Sequence, residues 1–316
     1  MRTPEIFTRL EGCSSVLIAG AGGGFDIYAG LPLAFALREA GTEVHLANLS
    51  FTRLDTIDPA AWLNDHVAAV DPNTEGPEHY FPEHTLAQWL ARQQQPSTVY
   101  AFPRTGVRNL RAGYRTLLDR HAVDAIVLVD GGTDILLRGD EYQLGTPEED
   151  AASLAAVDGI PEIPVRLVVS LGFGIDAYHG VNHVHVLENI AELSAAGAYL
   201  GAFSIPGEST EARLYRDAVE HASEHTPKRP SIVNTQIAAA LAGRHGRVPI
   251  GTRVRTTDLF VNPLMALYFT FDLPGLAAHN GYLSTLEDTE SMEDIALRIG
   301  RFRVDAELRE PEIFPH

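Results

Sequence analysis

Three segments of the sequence combine glycine with aspartate, and each directly follows a run of apolar, β-prone residues. They are Gly20–Asp26, Asp130–Asp134 and Gly172–Asp176. Glycine lets the backbone approach a ligand closely, and aspartate supplies a general acid or base, or an oxygen ligand for a hard cation. Both residues are also common in ordinary turns, so one such loop would mean little. Three of them together predict a functional site.

Four carboxylates are the candidate catalytic groups of this site: Asp26, Asp130, Asp134 and Asp176. Carboxylates that face one cavity repel one another, so a divalent cation such as Mg²⁺, a cationic substrate group or raised pKa values must compensate. We expect Asp130 and Asp134 to hold a metal or ribose hydroxyls. Asp26 or Asp176 is the expected base.

Most candidate substrate-binding residues are glycines, which leave room for a ligand and can offer backbone N–H groups to a phosphate. They are Gly22, Gly23, Gly24, Gly131, Gly132, Gly172 and Gly174. Arg138 is a candidate clamp for a phosphate or carboxylate; the alternative is an ion pair with Asp140. In the segment 179–185, His179 is a candidate acid, base or charge-stabilising group and His183 a candidate substrate ligand. Metal ligation and helix capping stay open for these histidines, with Asn182 as the candidate cap.

Several familiar reaction classes lack their required residues. The glycine turn departs from a dinucleotide fingerprint because Phe25 stands where the third glycine belongs, and Asn48 stands where an acidic residue would bind a ribose. The single lysine, Lys228, lies in a proline-flanked turn, which argues against a Walker-type phosphate loop and against Schiff-base chemistry. Ser170 is not in a Gly-x-Ser-x-Gly nucleophile elbow.

The elements that must position these residues alternate between strand and helix, which predicts a doubly wound, mostly parallel α/β sheet. Predicted strands cover 15–20, 44–49, 97–102, 124–129, 165–170 and 198–205, and predicted helices cover 27–40, 85–94, 106–121, 182–195 and 208–224. Residues 52–95 are expected to make an excursion over the sheet edge. In a parallel sheet the loops after the first, fourth and fifth predicted strands meet at one edge, where such sheets bind ligands.

Length and composition favour one large α/β domain over residues 1–316, with a core at 14–206 and an irregular C-terminal extension at 207–316. The extension is predicted to hold a helix at 231–242, a strand-like run at 259–271 broken by Pro263, and a last helix at 291–301. The net charge of −18 argues against nucleic acid and anionic membranes as partners. The single Cys13 excludes an intramolecular disulfide. No signal-peptide pattern is present, which predicts a cytoplasmic protein.

The three loops give the chain a resemblance to a prokaryotic family known as domain of unknown function 1152. It rests on the Gly20–Asp26 turn, on Asp130–Asp134 running into Arg138–Glu141, and on Gly145–Asp150. It covers nearly the whole chain. The resemblance implies a Rossmann-like fold, and no activity or catalytic residue comes with it.

We therefore interpret the chain as a small-molecule enzyme, a transferase or hydrolase acting on a nucleotide, nucleoside or other phosphate-bearing metabolite. Mg²⁺ is the candidate cofactor, and no nucleotide cofactor is assigned. One alternative is an oxidoreductase or methyltransferase that uses NAD(P) or S-adenosylmethionine, and another is a non-catalytic ligand sensor. The acidic surface is compatible with a homodimer.

Overall fold

The longest β-prone runs of the sequence lie side by side at the centre of one sheet. The computed structural model describes residues 3–248 and 260–313. Within these residues the sheet has nine strands: β1 Ser15–Gly20, β2 Glu43–Leu49, β3 Trp62–Asn64, β4 Val67–Val70, β5 Val99–Phe102, β6 Ala125–Asp130, β7 Val165–Leu171, β8 Tyr199–Ser204 and β9 Leu267–Asp272.

The strand order is β3-β4-β5-β2-β1-β6-β7-β9-β8, and the five strands from β5 to β7 pair in parallel. At the two edges β4 and β9 run against their neighbours, so that seven of the nine strands point the same way. The prediction of an α/β fold with a mostly parallel sheet is confirmed. The parallel pairing brings the carboxyl ends of β1, β6 and β7 to one edge of the sheet.

Helices cover both faces of the sheet. In the described residues they are α1 Glu5–Leu10, α2 Asp26–Ala29, α3 Leu31–Glu39, α4 Pro82–Arg92, α5 Val107–His121, α6 Pro147–Asp158, α7 His183–Ala195, α8 Thr210–His225, α9 Ile232–Leu241, α10 Leu273–His279 and α11 Met292–Asp305. Leu17 and Ala19 of β1 pack into the core shared with α5, α6, α7, α10 and α11. Val16 and Ile18 face the opposite core, with α1, α3, α4, α8 and α9. Alternation along buried strands therefore builds two cores.

The helix predicted over 27–40 is in fact two helices, α2 and α3, which meet at Gly30. Pro32 explains the break, because proline has no N–H to donate inside a helix and is tolerated only in a first turn. None of the described helices is both long enough and apolar enough to span a bilayer.

Two regions differ from the sequence-based expectation. The excursion at 52–95 contains β3 and β4, whose three and four residues are too few to show a period of two. In the C-terminal part, Pro263–Ala266 forms a 3-10 turn and β9 begins only at Leu267. Residue 259, where that strand was predicted to start, lies outside the described residues. β9 inserts between β7 and β8, so the C-terminal part contributes to the sheet itself.

Candidate functional site

The glycine turn between β1 and α2 folds around the Asp26 carboxylate. Asp26 Oδ2 accepts a hydrogen bond from the Gly22 N–H at 2.7 Å. Gly23 and Gly24 adopt positive φ angles of +90° and +61°, which side chains other than glycine rarely take. A Cβ added to Gly22 would lie 2.7 Å from Asp26 Oδ2 and 2.8 Å from Asp150 Oδ2. These glycines therefore make room for carboxylates as well as for a ligand.

Asn48, at the end of β2, is part of the scaffold of this turn. Its amide nitrogen donates to the Gly24 carbonyl at 2.9 Å and to Glu83 Oε1 at 2.7 Å, and its Oδ1 accepts from the Ile27 N–H at 3.3 Å. Burial raises the pKa of Glu83 to about 6, against the lowering effect of hydrogen bonds that include the one from Asn48. The position that would bind a ribose in a dinucleotide site is thus occupied by internal hydrogen bonds.

Asp176 joins the loops after β6 and β7, and Asp134 joins the β6 loop to the start of α6. Asp176 Oδ2 accepts hydrogen bonds from the Thr133 N–H at 2.5 Å and the Thr133 hydroxyl at 3.1 Å. Asp134 Oδ2 accepts from the N–H and hydroxyl of Thr146 at 3.0 and 3.2 Å. A Cβ on Gly132 would lie 2.6 Å from Asp176 Oδ2. Asp134 and Asp176 are therefore held in fixed positions by backbone and threonine donors.

Asp26, Asp130 and Asp150 form the centre of the site. Each offers a carboxylate oxygen, and the three oxygens lie within 4.8 Å of one another. Asp130 and Asp150 are only 2% and 3% exposed. Asp130 Oδ2 and Asp150 Oδ1 are buried without a hydrogen-bond partner among the described residues. A buried carboxylate in that state is costly unless a proton or a cation compensates it.

The electrostatics of the cluster favour proton or cation uptake. Burial, followed by neighbouring carboxylates, raises the pKa values of Asp130, Asp150 and Asp176 well above the usual range. Burial and Asp134 raise the pKa of Asp26 to about 8, against opposing hydrogen bonds from backbone N–H groups. Burial and mutual repulsion therefore oppose ionisation of these carboxyls, and a bound proton or cation would relieve that repulsion.

The carboxylates line a cavity of about 380 Å³. The first turn of α6 contributes Glu149 and Asp150, and the start of α9 contributes Ser231 and Val233. Helix N-termini favour negative charge, so both helices offset part of the repulsion among the carboxylates and could also favour a bound anion. Arg104 is the one arginine among the described residues that line the cavity, and its Nη2 lies 2.5 Å from Glu149 Oε1.

Nine of the predicted site residues line this cavity together: Gly22, Gly23, Gly24, Asp26, Asp130, Gly131, Asp134, Asp176 and His179. Five others do not. Gly132 packs against Asp176, Gly172 approaches Ile237, and Gly174 has only a distant neighbour in Asn262. Arg138 and His183 are the remaining two.

Arg138 belongs to a different cluster. It binds Asp140 through Nε and Nη2 at 2.8 and 2.7 Å, and Glu192 through Nη1 at 2.6 Å. Buried Glu141 accepts from the backbone N–H groups of residues 138 and 139 and from Arg309 Nη2 at 2.7 Å. The segment 138–141 therefore anchors the C-terminal part of the chain and does not face the cavity.

The three histidines near the β7 loop have separate surroundings. His179 ends a 3-10 turn and lines the cavity, where it slightly opposes the rise in the pKa of Asp134. His183 is exposed at the start of α7, which Asn182 caps by accepting two backbone N–H groups. His185 is buried and lies 3.0 Å from the Glu310 carbonyl.

Nine lining residues were missed in the sequence analysis: Phe25, Phe51, Tyr80, Arg104, Thr146, Glu149, Asp150, Ser231 and Val233. Two signals were available in the sequence. Arg104 follows a predicted strand end, as the three glycine-aspartate loops do. Glu149 and Asp150 lie in an acidic helix start close after the second loop, which is easily read as a favourable interaction with the helix dipole alone.

Two other groups of metal-ligand type occur among the described residues, and their contacts do not suit a metal. In the first, Glu43, His45 and His121, the two imidazole rings stack face to face at 3.8 Å. In the second, which contains His221, Arg92 Nη1 lies 3.3 Å from His221 Nδ1. Arginine only donates, so this Nδ1 is an acceptor, whereas a metal-bound imidazole normally donates through its second nitrogen.

Comparisons with known proteins identify a family and no characterised relative. No curated protein matches the sequence. No solved structure matches it. Residues 17–312 match the family described as "Protein of unknown function (DUF1152)". Because the match covers most of the chain and includes all three glycine-aspartate loops, the protein belongs to the DUF1152 family.

Proposed function

We propose that the protein is a small-molecule enzyme whose carboxylate cluster binds a divalent cation and, through it, a phosphate-bearing substrate for group transfer or hydrolysis. The observation that carries the proposal is a pair of buried oxygens beside the glycine turn, Asp130 Oδ2 and Asp150 Oδ1, for which the described part of the chain supplies no hydrogen-bond partner. Oxygen-only donor sets suit hard cations such as Mg²⁺. Asp26, Asp130 and Asp150 are the proposed ligands.

The proposed ligand set differs from the pair Asp130 and Asp134 expected from sequence. Asp134 Oδ2 already accepts two hydrogen bonds from Thr146, whereas Asp150 Oδ1 accepts none from residues 3–248 and 260–313. A bound cation would supply positive charge for a phosphate that the six lining carboxylates would otherwise repel. The N–H groups of Gly23 and Gly24 and the start of α9 offer further anion-binding capacity.

The other lining residues divide the remaining roles. Asp176 is oriented by Thr133 and is the proposed base for an attacking water or hydroxyl. His179 and Arg104 are proposed to stabilise charge that develops on the transferred group. Arg138 has no part in this scheme, because its guanidinium is bound to Asp140 and Glu192.

The chain topology supports a Rossmann-like, doubly wound classification and this location of the site. From β1 the chain builds the sheet outward through β2 and β5 on one side, and then through β6 and β7 on the other. The crevice between β1 and β6 is the switch point at which sheets of this type bind ligands. Three expectations stay predictions: a single domain with a core at 14–206, a cytoplasmic location, and a homodimer.

The size of the cavity argues for a mononucleotide or smaller ligand. Its volume of about 380 Å³ is near the lower end of the roughly 300–1,000 Å³ range of small-molecule sites. A dinucleotide such as NAD(P) would need more room. NAD(P)- or S-adenosylmethionine-dependent chemistry therefore enters as an outcome of the test, and a non-catalytic sensor would bind the ligand without converting it to a product.

The test is calorimetric titration with Mg²⁺ and Mn²⁺, followed by a thermal-shift screen. The screen uses nucleotides, nucleosides, sugar phosphates, NAD(P) and S-adenosylmethionine, each with and without Mg²⁺. We expect cation binding, and a Mg²⁺-dependent shift with a phosphate-bearing ligand; a ligand at 100 times its Kd adds about 2.7 kcal/mol. Asp150→Asn should abolish both, and exposed Asp119→Asn should change neither. A wild-type protein that binds no cation, or that responds only to NAD(P) or S-adenosylmethionine, contradicts the proposal.

A further inference from the structure

We propose that Phe51 and Tyr80 form a stacking subsite for a planar heterocycle at the mouth of the carboxylate cavity. The substrate would then be a nucleoside or mononucleotide rather than a sugar phosphate. The phosphate part of this inference rests on the proposed function. The heterocycle part rests on independent contacts of the two aromatic rings.

Phe51 lies two residues beyond the end of β2, lines the cavity and is 44% exposed. Its ring packs against the glycine turn so closely that a Cβ on Gly23 would lie 2.3 Å from Phe51 Cε1. Single exposed apolar side chains are common on protein surfaces. What distinguishes Phe51 is its position: it leaves part of an aromatic ring open beside a polar cavity.

Arg104 further fixes the Phe51 ring. The Arg104 guanidinium lies 5.2 Å from the Phe51 ring centroid, and its Nη2 lies 2.5 Å from Glu149 Oε1. Glu149 is itself in the first turn of α6 and is buried. The Phe51 ring is thus fixed by contacts with the glycine turn and with a tethered cation, while the residue stays 44% exposed. A preorganised ring of this kind loses little conformational entropy when it stacks on a ligand.

Tyr80 reaches the same turn from the excursion between β4 and α4. Its ring meets Phe25 edge-on, with centroids 5.7 Å apart at 87°, and Arg229 lies 5.8 Å from its centroid. A Cβ on Gly24 would lie 3.1 Å from Tyr80 Oη and 3.3 Å from Phe51 Cδ2. The two aromatic residues therefore converge on Gly24.

The glycine turn separates two chemically different parts of the site. Carboxylates approach Gly22 and Gly131, whereas aromatic rings approach Gly23 and Gly24. This division fits a ligand with a cation-binding phosphate at one end and a planar, π-faced group at the other. A sugar phosphate would leave the aromatic part unused.

The experiment measures Kd by calorimetry on the full chain in Mg²⁺ buffer, with adenosine and uridine 5′-monophosphates, the two nucleosides, and ribose 5-phosphate. We expect at least one nucleotide to bind more tightly than ribose 5-phosphate. Phe51→Ala should weaken nucleotide and nucleoside binding by about 5- to 150-fold, because base stacking on an aromatic side chain is worth about 1–3 kcal/mol. Ribose 5-phosphate affinity should not change.

Two control variants make the result specific. Phe51→Trp keeps a stacking face and should retain nucleotide binding. Tyr142→Ala removes an aromatic residue of similar exposure that does not line the cavity, and it should have no effect.

The outcomes separate this inference from the proposed function. Equal affinity of ribose 5-phosphate and the nucleotides, or equal weakening of both by Phe51→Ala, overturns the stacking subsite and leaves the cation site standing. Nucleoside binding that depends on Phe51 in a protein that binds no Mg²⁺ supports the subsite and overturns the proposed function. Failure of every nucleoside and nucleotide to bind overturns the subsite.

Discussion

Two acidic regions lie next to each other along the chain and differ in how their carboxylates are satisfied. Asp130, at the end of β6, has a buried oxygen without a partner among the described residues. Glu141, eleven positions later, is equally buried but accepts hydrogen bonds from Asn189 and Arg309 as well as from two backbone N–H groups. The comparison teaches that burial of acidic residues does not by itself mark a ligand site. The number of partners separates a structural carboxylate from one that can bind a ligand.

The largest effect is expected from removing the positive charge beside Glu141, the carboxylate whose hydrogen bonds are satisfied. Arg309→Ala leaves Glu141 buried without its charged partner, which should lower the free energy of unfolding by about 3–5 kcal/mol. Urea denaturation measures this loss, and exposed Arg301→Ala should cost less than about 0.5 kcal/mol. Cation affinity of the folded variant should equal that of the wild type. A stability loss no larger than that of the control would mean that the network around Glu141 is not structural.

A rise in pH should lower the stability of the cation-free protein through the carboxylates of the candidate site. Folded Asp26 has a pKa of about 8, raised by burial and by Asp134, against about 3.9 for an unfolded aspartate. The folded state therefore binds more protons between these values, and this contribution to stability, fully present below pH 4, is lost as the pH rises towards 8. The slope is at most about 1.4 kcal/mol per pH unit for one group.

Denaturation of the cation-free protein at several pH values, with a chelator present, measures this slope. Asp26→Asn should flatten the profile, because an amide does not titrate. Added Mg²⁺ should also flatten it by replacing protons with a cation. Stability of the wild type that stays level or rises between pH 5 and 8 would contradict the raised pKa.

The smallest expected effect is a gain in stability. Asp130→Asn removes a group whose ionisation is opposed by burial and by neighbouring carboxylates, so the cation-free protein should become more stable by about 0.5–2 kcal/mol, as is common when a functional site is neutralised. The same substitution should abolish Mg²⁺ binding. Equilibrium denaturation beside Asp119→Asn measures the gain, and a clear loss of stability would show that Asp130 has a structural partner.

Much of the site was predictable because strand ends are visible in sequence. The runs before Asp26, Asp130 and Asp176 are apolar and continuous, and parallel pairing then brings the following loops together. Asp150 and Arg104 were not predictable in the same way. Arg104 follows a predicted strand end and Asp150 lies in an acidic helix start, but neither pattern encodes how the loop after β5 and α6 turn towards β1.

Arg138 illustrates the opposite error, because it was predicted to be a site residue and does not line the cavity. Its nearness to the Asp130 loop along the chain suggested a shared cavity, but partners from distant segments, Glu192 and Arg309 among them, organise its neighbourhood. Phe51 directly precedes the excursion at 52–95, and Tyr80 lies within it. The two strands of this excursion, β3 and β4, are too short to be recognised from the sequence. Contacts between segments that are distant in the sequence therefore position most of the residues whose place was not predicted.

The insertion of β9 between β7 and β8 has a consequence for how this chain is made. β7 ends at Leu171, yet its neighbour in the sheet begins only at Leu267, so both β7 and β8 leave the ribosome before the strand that joins them. Until then each presents unpaired N–H and C=O groups that another chain could pair with. Synthesis that stops before residue 267 would leave the β7 edge and all of β8 without β9, and so open to pairing with another chain.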